Sequence, residues 1–416
     1  MTENSISINK ERLIKDMEAI NSNTATPGNG STRFSYSEED RKTREYLSRE
    51  FKNLNLEVKT DGAGNIRAKY NPKKNDLPSV MIGSHIDTVM NGGEFDGLAG
   101  TIAALEVIRT IKENKTDITH PVELVIFSEE EGSNFGSTTV GSKVMTGKLI
   151  KEDLMTLYNS EKQSAYEVMK GFGFDADSIG EDLLQKVEVK AMMELHIEQG
   201  GVLEEESKSV GIVHAIAGMN TFQVTLNGVS NHAGTTPMPG RKDPLVGASK
   251  VIIALEEYAR TQVNETTVAT VGKLECSPSG SNVINKTVTF NVDIRDIEQS
   301  GIDQVSNYLK EKVKETAETQ QLEYEIDLIG TSAPARLSDT VIDTLVAKAE
   351  KRGMDYLKLH SGAVHDTMML ADVTDVAMIF VPSKNGISHS PDEYTSYEDI
   401  EDGANLMLEA VIELAQ

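Results

Sequence analysis

Tryptophan is absent from the 416 residues, aromatic residues make up only 5%, and there is a single cysteine, Cys276. One cysteine excludes an intramolecular disulfide framework and any Cys-x-x-Cys metal or redox site. It reads as a small buried hydrophobe. Positive charge is also scarce: 41 Lys and Arg stand against 66 Asp and Glu, a net charge of −25. That balance repels nucleic acid and anionic membranes, while it attracts metal cations. No apolar run approaches the ~18 residues needed to span a bilayer. The opening MTENSISINKERL is too polar for a secretory signal peptide, so a soluble, cytoplasmic protein is expected. With 38% hydrophobic and 26% charged residues over this length, a globular chain of two or three domains follows.

Short apolar runs alternate with helical stretches, the texture of α/β proteins. Leu56–Tyr70 reads as extended chain around a turn at Asp61-Gly62. Buried strands are expected at Ser79–Ser84 and Val122–Phe127, with a helix at Gly100–Ile111 between them. The stretch 211–330 differs. Its order is a strand at Thr221–Leu226, a helix at 242–260, strands at Thr267–Leu274 and Lys286–Arg295, a helix at 299–318 and a strand at 323–329. This is the βαββαβ ferredoxin-like unit. Val288, Phe290, Val292 and Ile294 share one face of their strand, which turns Arg295 to the polar face. Helical and strand signals return near 339–351 and 376–381, with a closing helix from Tyr397. A small domain, 211–330, is thus inserted in a larger one formed by 1–210 and 331–416.

Four segments carry the chemistry. In Gly83-Ser84-His85-Ile86-Asp87, His85 and Asp87 are two residues apart at a strand end, so the Asp87 carboxylate can hold the imidazole in the tautomer that binds a metal. Asp96 follows in a glycine-rich turn able to fold back toward His85. Ser128-Glu129-Glu130-Glu131-Gly132 sets three adjacent carboxylates directly after a buried strand, where they repel unless a cation or raised pKa values relieve them. In Glu194-Leu195-His196-Ile197-Glu198, period two puts Glu194, His196 and Glu198 on one face. The fourth segment is Ile387-Ser388-His389-Ser390-Pro391-Asp392-Glu393. Each alone reads equally well as an exposed polar loop. Together, His, Asp, Glu, His and His offer nitrogen and oxygen ligands for two divalent ions with one carboxylate shared.

GSHIDTVMNGGEFDG, FSEEEGSNF, ELHIEQG, GVSNHAGTTPM, SGAVHD and GISHSPDE, in this order, resemble the dinuclear metal-dependent amidases of the hydantoinase/carbamoylase branch. That branch holds N-carbamoyl-L-amino-acid hydrolases, β-ureidopropionases and allantoate amidohydrolases, within the aminoacylase/carboxypeptidase superfamily of zinc peptidases. The resemblance runs from about residue 10 to the C-terminus. It implies an α/β fold: a zinc-peptidase-like catalytic domain with a central mixed sheet, and the inserted βαββαβ unit as a lid and dimerisation domain.

Residue by residue, the resemblance implies two divalent ions, zinc or manganese with cobalt or nickel also accommodated, held by His85, Asp96, Glu131, His196 and His389. Asp96 is the shared ligand, Asp87 supports His85, and Glu130 is the general acid/base. The sequence by itself does not order Glu130 and Glu131; the family pattern does. His232 is implied as oxyanion donor, with Gln199, Asn282, Arg295 and position 364 contacting substrate. Arg295 suits a bidentate grip on a carboxylate, although pairing with Asp293 or Asp296 is its plain alternative. Where the family has glycine, this chain has Val364, whose β-branched side chain disfavours positive φ and narrows the pocket. The implied activity is hydrolysis of an N-carbamoyl-L-amino acid, with allantoate and N-acyl-amino acids or dipeptides as alternatives, and an inactive metal-binding scaffold as the reading from another class. The implied partners are a small carboxylate-bearing ureido or amide substrate and a second copy of the chain, joined through the small domain.

Overall fold

The structure is a computed structural model that describes residues 6–181 and 183–416; the first residues of the polar opening lie outside these. The chain forms two compact units. One runs to His214 and resumes at Leu337–Gln416, and the other is Ala215–Arg336.

A mixed sheet forms the centre of the first unit. Its adjacent strands are Glu57–Thr60, Ile66–Tyr70, Val122–Phe127, Ser79–His85, Val189–Ile197, Asp375–Val381 and Val210–Ile216, with Tyr356–Ser361 paired to the last. Val122–Phe127, Ser79–His85, Val189–Ile197 and Asp375–Val381 run parallel to one another. Parallel strands covered on both faces are apolar throughout instead of alternating. SVMIGSH and VELVIF are accordingly buried at every position. Each fully buried Val, Leu or Ile side chain contributes about 1.5–3 kcal/mol.

The helix Leu98–Glu113 is buried on nearly all sides, between the sheet and the closing helix Tyr397–Leu414. It extends two residues beyond the predicted Gly100–Ile111 at each end. The first two helices, Lys10–Asn21 and Glu38–Asn53, start at side-chain caps, with Asn9 accepting from the Arg12 N–H and Ser37 from the Asp40 N–H.

The second unit is an antiparallel sheet in the order Glu323–Ser332, Gly218–Asn227, Thr287–Asp296, Val268–Ser277, joined by the helices Pro244–Gln262 and Gln299–Gln320 in the expected βαββαβ sequence. Thr287–Asp296 alternates strictly, with Val288, Phe290, Val292 and Ile294 buried against Val251, Leu255, Val305 and Leu309. Asp243 caps the first helix, where Pro244 occupies a position that needs no N–H donor.

One expectation needs correction, and a second point bears on Val364. Glu198 lies beyond the end of its strand, and its carboxylate accepts the Val202 and Leu203 N–H groups at 2.8 and 2.9 Å instead of sharing the face of Glu194 and His196. Val364 is not among the residues with positive φ, so the valine is accommodated without backbone strain. Among the described residues, no helix is long and apolar enough to cross a membrane.

Candidate metal centre

The four parallel strands end side by side, and their last residues and the segments that follow carry the predicted metal-site residues. Open parallel sheets place their sites there because successive loops converge at the carboxyl edge. His85 is the last residue of its strand and pairs in register with Phe127, immediately before Ser128-Glu129-Glu130-Glu131. His196 pairs with Phe380 on the strand that leads to the His389 loop. Asp96 returns to His85 through Gly97, at φ +63°, where a Cβ would lie 2.4 Å from the imidazole. Only glycine permits that approach.

His85 and His196 are both buried, and each sets Nδ1 on a backbone carbonyl, Asp87 O at 3.0 Å and Ile197 O at 2.9 Å. Nδ1–H donation leaves each neutral ring with an Nε2 lone pair facing inward. Both lone pairs face the same oxygen: Asp96 Oδ1 is 3.5 Å from His85 Nε2 and 3.1 Å from His196 Nε2. Asp96 Oδ2 faces the other way, 3.2 Å from His389 Nε2, and Glu131 lies 3.4 Å from that same nitrogen. Two ligand groups therefore share one carboxylate: His85, Asp96 and His196, and Asp96, Glu131 and His389. The expected role of Asp87 needs adjustment. Its carbonyl, not its carboxylate, orients His85, while the carboxylate accepts the Glu130 and Glu131 N–H groups at 3.3 and 3.1 Å.

The three glutamates separate by geometry. Glu129 points away, accepting from Asn134 N and Nδ2 and from Phe135 N at 2.8, 3.1 and 3.3 Å. Glu131 belongs to a ligand group, whereas Glu130 belongs to neither, its Oε2 standing 3.9 Å from His85 Nε2. Burial and then the Asp87 charge push Glu129 up to about 8, and burial with the Asp96 charge does the same to Glu131. Burial likewise raises Glu130 well above the usual carboxylate range, against the pull of His85 and reinforced by Glu131 and Asp366. Burial lowers the proton affinity of His85, but Asp96, then Glu130 and Asp87 outweigh it and raise it above the usual imidazole range in the absence of a cation.

Gln199 also lies at this centre, its Nε2 donating to Asp96 Oδ2 at 2.7 Å and 3.2 Å from His389 Nε2. His365 and Asp366, the last two residues of the SGAVHD motif, also come to this centre. The His365 ring meets His196 edge-on at 4.6 Å and shares a hydrogen bond with Ser361 Oγ at 2.9 Å. Asp366 is fully buried, bonded to Ser142 through one oxygen. Glu194, His196 and His365 form a third cluster, but Glu194 is taken up by Ser84 Oγ at 2.7 Å and Thr367 Oγ1 at 2.6 Å. This cluster forms a wall behind the centre.

His232, Asn282, Arg295 and Val364 are not among these ligand groups. Val364 precedes His365 in the first unit. The other three lie in the second unit, where Asn282 O accepts the Ala233 N–H at 2.9 Å beside His232. His232 Nδ1 accepts the Gly234 and Thr235 N–H groups at 3.0 and 3.3 Å, which leaves Nε2 as the donor of the exposed ring. Arg295 is paired with Asp293 at 2.8 Å, as its plainer reading expected.

Residues 81–413 match the model of peptidase family M20/M25/M40. The chain belongs to this family. It is 39% identical over 409 residues to an N-carbamoyl-L-amino-acid amidohydrolase of Pseudomonas sp. (strain NS671), covering 98% of this chain and 99% of that protein. It is 34% identical over 406 residues to the allantoate amidohydrolase of Escherichia coli (strain K12), covering 98% of each. A solved amidase of the hydantoinase/carbamoylase family from Burkholderia multivorans superposes with a TM-score of 0.92 at 32% identity, covering 99% of each chain. This M20 chain is an amidohydrolase, a hydrolase acting on C–N bonds, from a metal-dependent family.

The residues present fit a metal. His85 Nε2 is buried without a hydrogen-bond partner, and it points at a carboxylate oxygen beyond bonding distance. A lone pair facing an oxyanion is repulsive unless a proton or a cation lies between them. Imidazole nitrogens with carboxylate oxygens are the donor set that zinc and manganese accept.

Proposed function

We propose that this amidohydrolase removes the N-carbamoyl group of an N-carbamoyl-L-amino acid, consuming one water and releasing the amino acid, carbon dioxide and ammonia. The carrying observation is the pair of ligand groups joined through Asp96, with Glu130 beside them and outside both. In this reading His85, Asp96 and His196 hold one divalent ion, and Asp96, Glu131 and His389 the other, with zinc or manganese the fitting metals. Such ions, when bound, acidify a water and polarise a carbonyl. Glu130 takes the proton of the attacking water and delivers it to the leaving nitrogen, and its raised proton affinity suits that transfer. His232, with Nε2–H free to donate, is assigned to the developing oxyanion, and Arg295 to the substrate carboxylate.

The 39% identity to the Pseudomonas enzyme over nearly all of both chains supports the carbamoyl substrate. Allantoate is the second reading, supported by the Escherichia coli relative. The test is ammonia release from metal-stripped protein, before and after zinc or manganese is restored. The panel comprises N-carbamoyl-L-amino acids, N-carbamoyl-β-alanine, allantoate and N-acyl-amino acids, with free amine scored in parallel. Metal-dependent ammonia from the carbamoyl amino acids is expected. Ammonia from allantoate alone would move the assignment to the second reading, and free amine from N-acyl substrates alone would overturn both.

A further inference from the structure

Glu393 is buried, and the mechanism above gives it no task. One oxygen, Oε1, accepts the backbone N–H groups of Phe95 and Asp96 at 3.1 and 3.0 Å. The other, Oε2, accepts Ser388 Oγ at 2.8 Å and the His389 N–H at 3.3 Å. A single carboxylate thus ties together two loops almost 300 residues apart, each carrying one residue of the same ligand group. The space for it depends on Gly93, where a Cβ would lie 1.9 Å from Oε1. His389 has φ +54°, a left-handed backbone that is unfavourable for a non-glycine residue, and Glu393 holds its N–H.

The ligands differ in what else fixes them. His85 and His196 lie in strands, and each is held in register by a parallel neighbour on one side, Phe127 and Phe380. Asp96 is further anchored at the start of a helix, where Phe95 O accepts the Ala99 N–H at 2.9 Å. His389 lies on a loop and is half exposed, with a side-chain exposure of 48%. Its 3.2 Å approach to Asp96 Oδ2 is shared at the side chains by Gln199 Nε2 and by Ser388 Oγ, 3.3 Å from Asp96 Oδ2, whereas Glu393 is the group that ties the two backbones together.

We propose that Glu393 is a positioning residue that sets the separation of Asp96 and His389, and with it the affinity of the metal position formed by Asp96, Glu131 and His389. This rests on the assignment of two metal positions above. Glutamine at 393 keeps the size but turns an amide NH2 toward groups that are themselves donors. Supporting hydrogen bonds of this kind carry about 10–100-fold in metal affinity.

The experiment titrates Zn2+ into the metal-stripped full chain. Stoichiometry is read by native mass spectrometry and affinity by competition with a chromogenic chelator. The wild type is expected to take two ions. Glu393→Gln should keep the first within threefold and bind the second at least tenfold more weakly, with a metal-free melting temperature close to wild type. Gly93→Ala crowds the carboxylate instead of removing it; it should produce the same split, and it decides the matter where Glu393→Gln does not fold. Two ions bound at wild-type affinity, or both weakened equally, would overturn the proposal. A wild type that takes one ion overturns the two-position assignment itself, a separate result.

Discussion

Replacing Glu130 by glutamine separates the proposed proton carrier from the proposed ligands. Glu130 is 7% exposed, stands 3.9 Å from His85 Nε2 and belongs to neither ligand group. The substitution keeps the volume and removes only the ability to accept and pass a proton. General acid–base catalysis is worth about 10²- to 10⁴-fold, or about 3–5 kcal/mol of barrier. Ammonia release from an N-carbamoyl-L-amino acid should fall by that factor, with metal content in the same samples unchanged. A second readout follows from burial, which makes a charged Glu130 costly, with Glu131 and Asp366 adding repulsion. A neutral amide removes that cost, so the metal-free variant should be more stable than wild type at neutral pH in a denaturant melt. Turnover within tenfold of wild type at equal metal content would refute Glu130 as the base. Loss of a metal equivalent would show it to be a ligand.

Other expectations follow from the same geometry. Asp96→Ala should abolish uptake of both ions, since its two oxygens serve different groups, whereas His389→Ala should lose only one; equal losses in elemental analysis would contradict the sharing. The Asp96 hydrogen bond raises His389 to about 9 and burial raises Glu131 to about 8, so both hold protons at pH 7 in the metal-free chain. Zinc uptake should therefore release protons at pH 7 and progressively fewer as pH rises through 8 and 9. Calorimetry in buffers of different ionisation enthalpy reads this, and a release that does not vary with pH counts against it. Glu129→Gln keeps an oxygen for the Asn134 and Phe135 N–H groups but turns an NH2 toward Asn134 Nδ2, and should cost about 1–3 kcal/mol in a denaturant melt, with metal content intact; a change in metal content would place Glu129 in the centre. Val364→Gly should widen the range of accepted substrates, seen as lower KM for bulky side chains. An unchanged panel would remove Val364 from the pocket.

The elements readable from sequence were those where one physical signal dominates. VELVIF is an uninterrupted apolar run because parallel strands are covered on both faces, and its bounds coincide with the strand found. Thr287–Asp296 alternates because helices cover only one face of its sheet. Val189–Ile197 was harder: its acidic and imidazole residues looked like a polar face, yet every residue except Lys190 is buried, the polar ones through side-chain partners. Periodicity assumes that polar means solvated, and in this buried polar cluster that assumption fails. It failed again at Glu198, where the strand ends and a helix turn claims the carboxylate.

The separation of Glu130 from Glu131 was also beyond composition and spacing. Adjacent residues leave a strand end in directions that depend on the turn, and here the Asp87 carboxylate fixes that turn by accepting both N–H groups. Glu393 was hidden for a related reason, because its donors are backbone groups of a loop near residue 95. A sequence displays side chains in order, whereas the partners of a bridging carboxylate are set by which strand ends are neighbours. The parallel order 122–127, 79–85, 189–197, 375–381 supplies that information. It brings Asp96 within 3.2 Å of His389, and it makes one aspartate common to both groups. A shared anion has a thermodynamic consequence: whatever displaces Asp96 changes both positions, whereas displacing His389 changes one. The unequal effects expected for Asp96→Ala and Glu393→Gln are two readings of that single asymmetry.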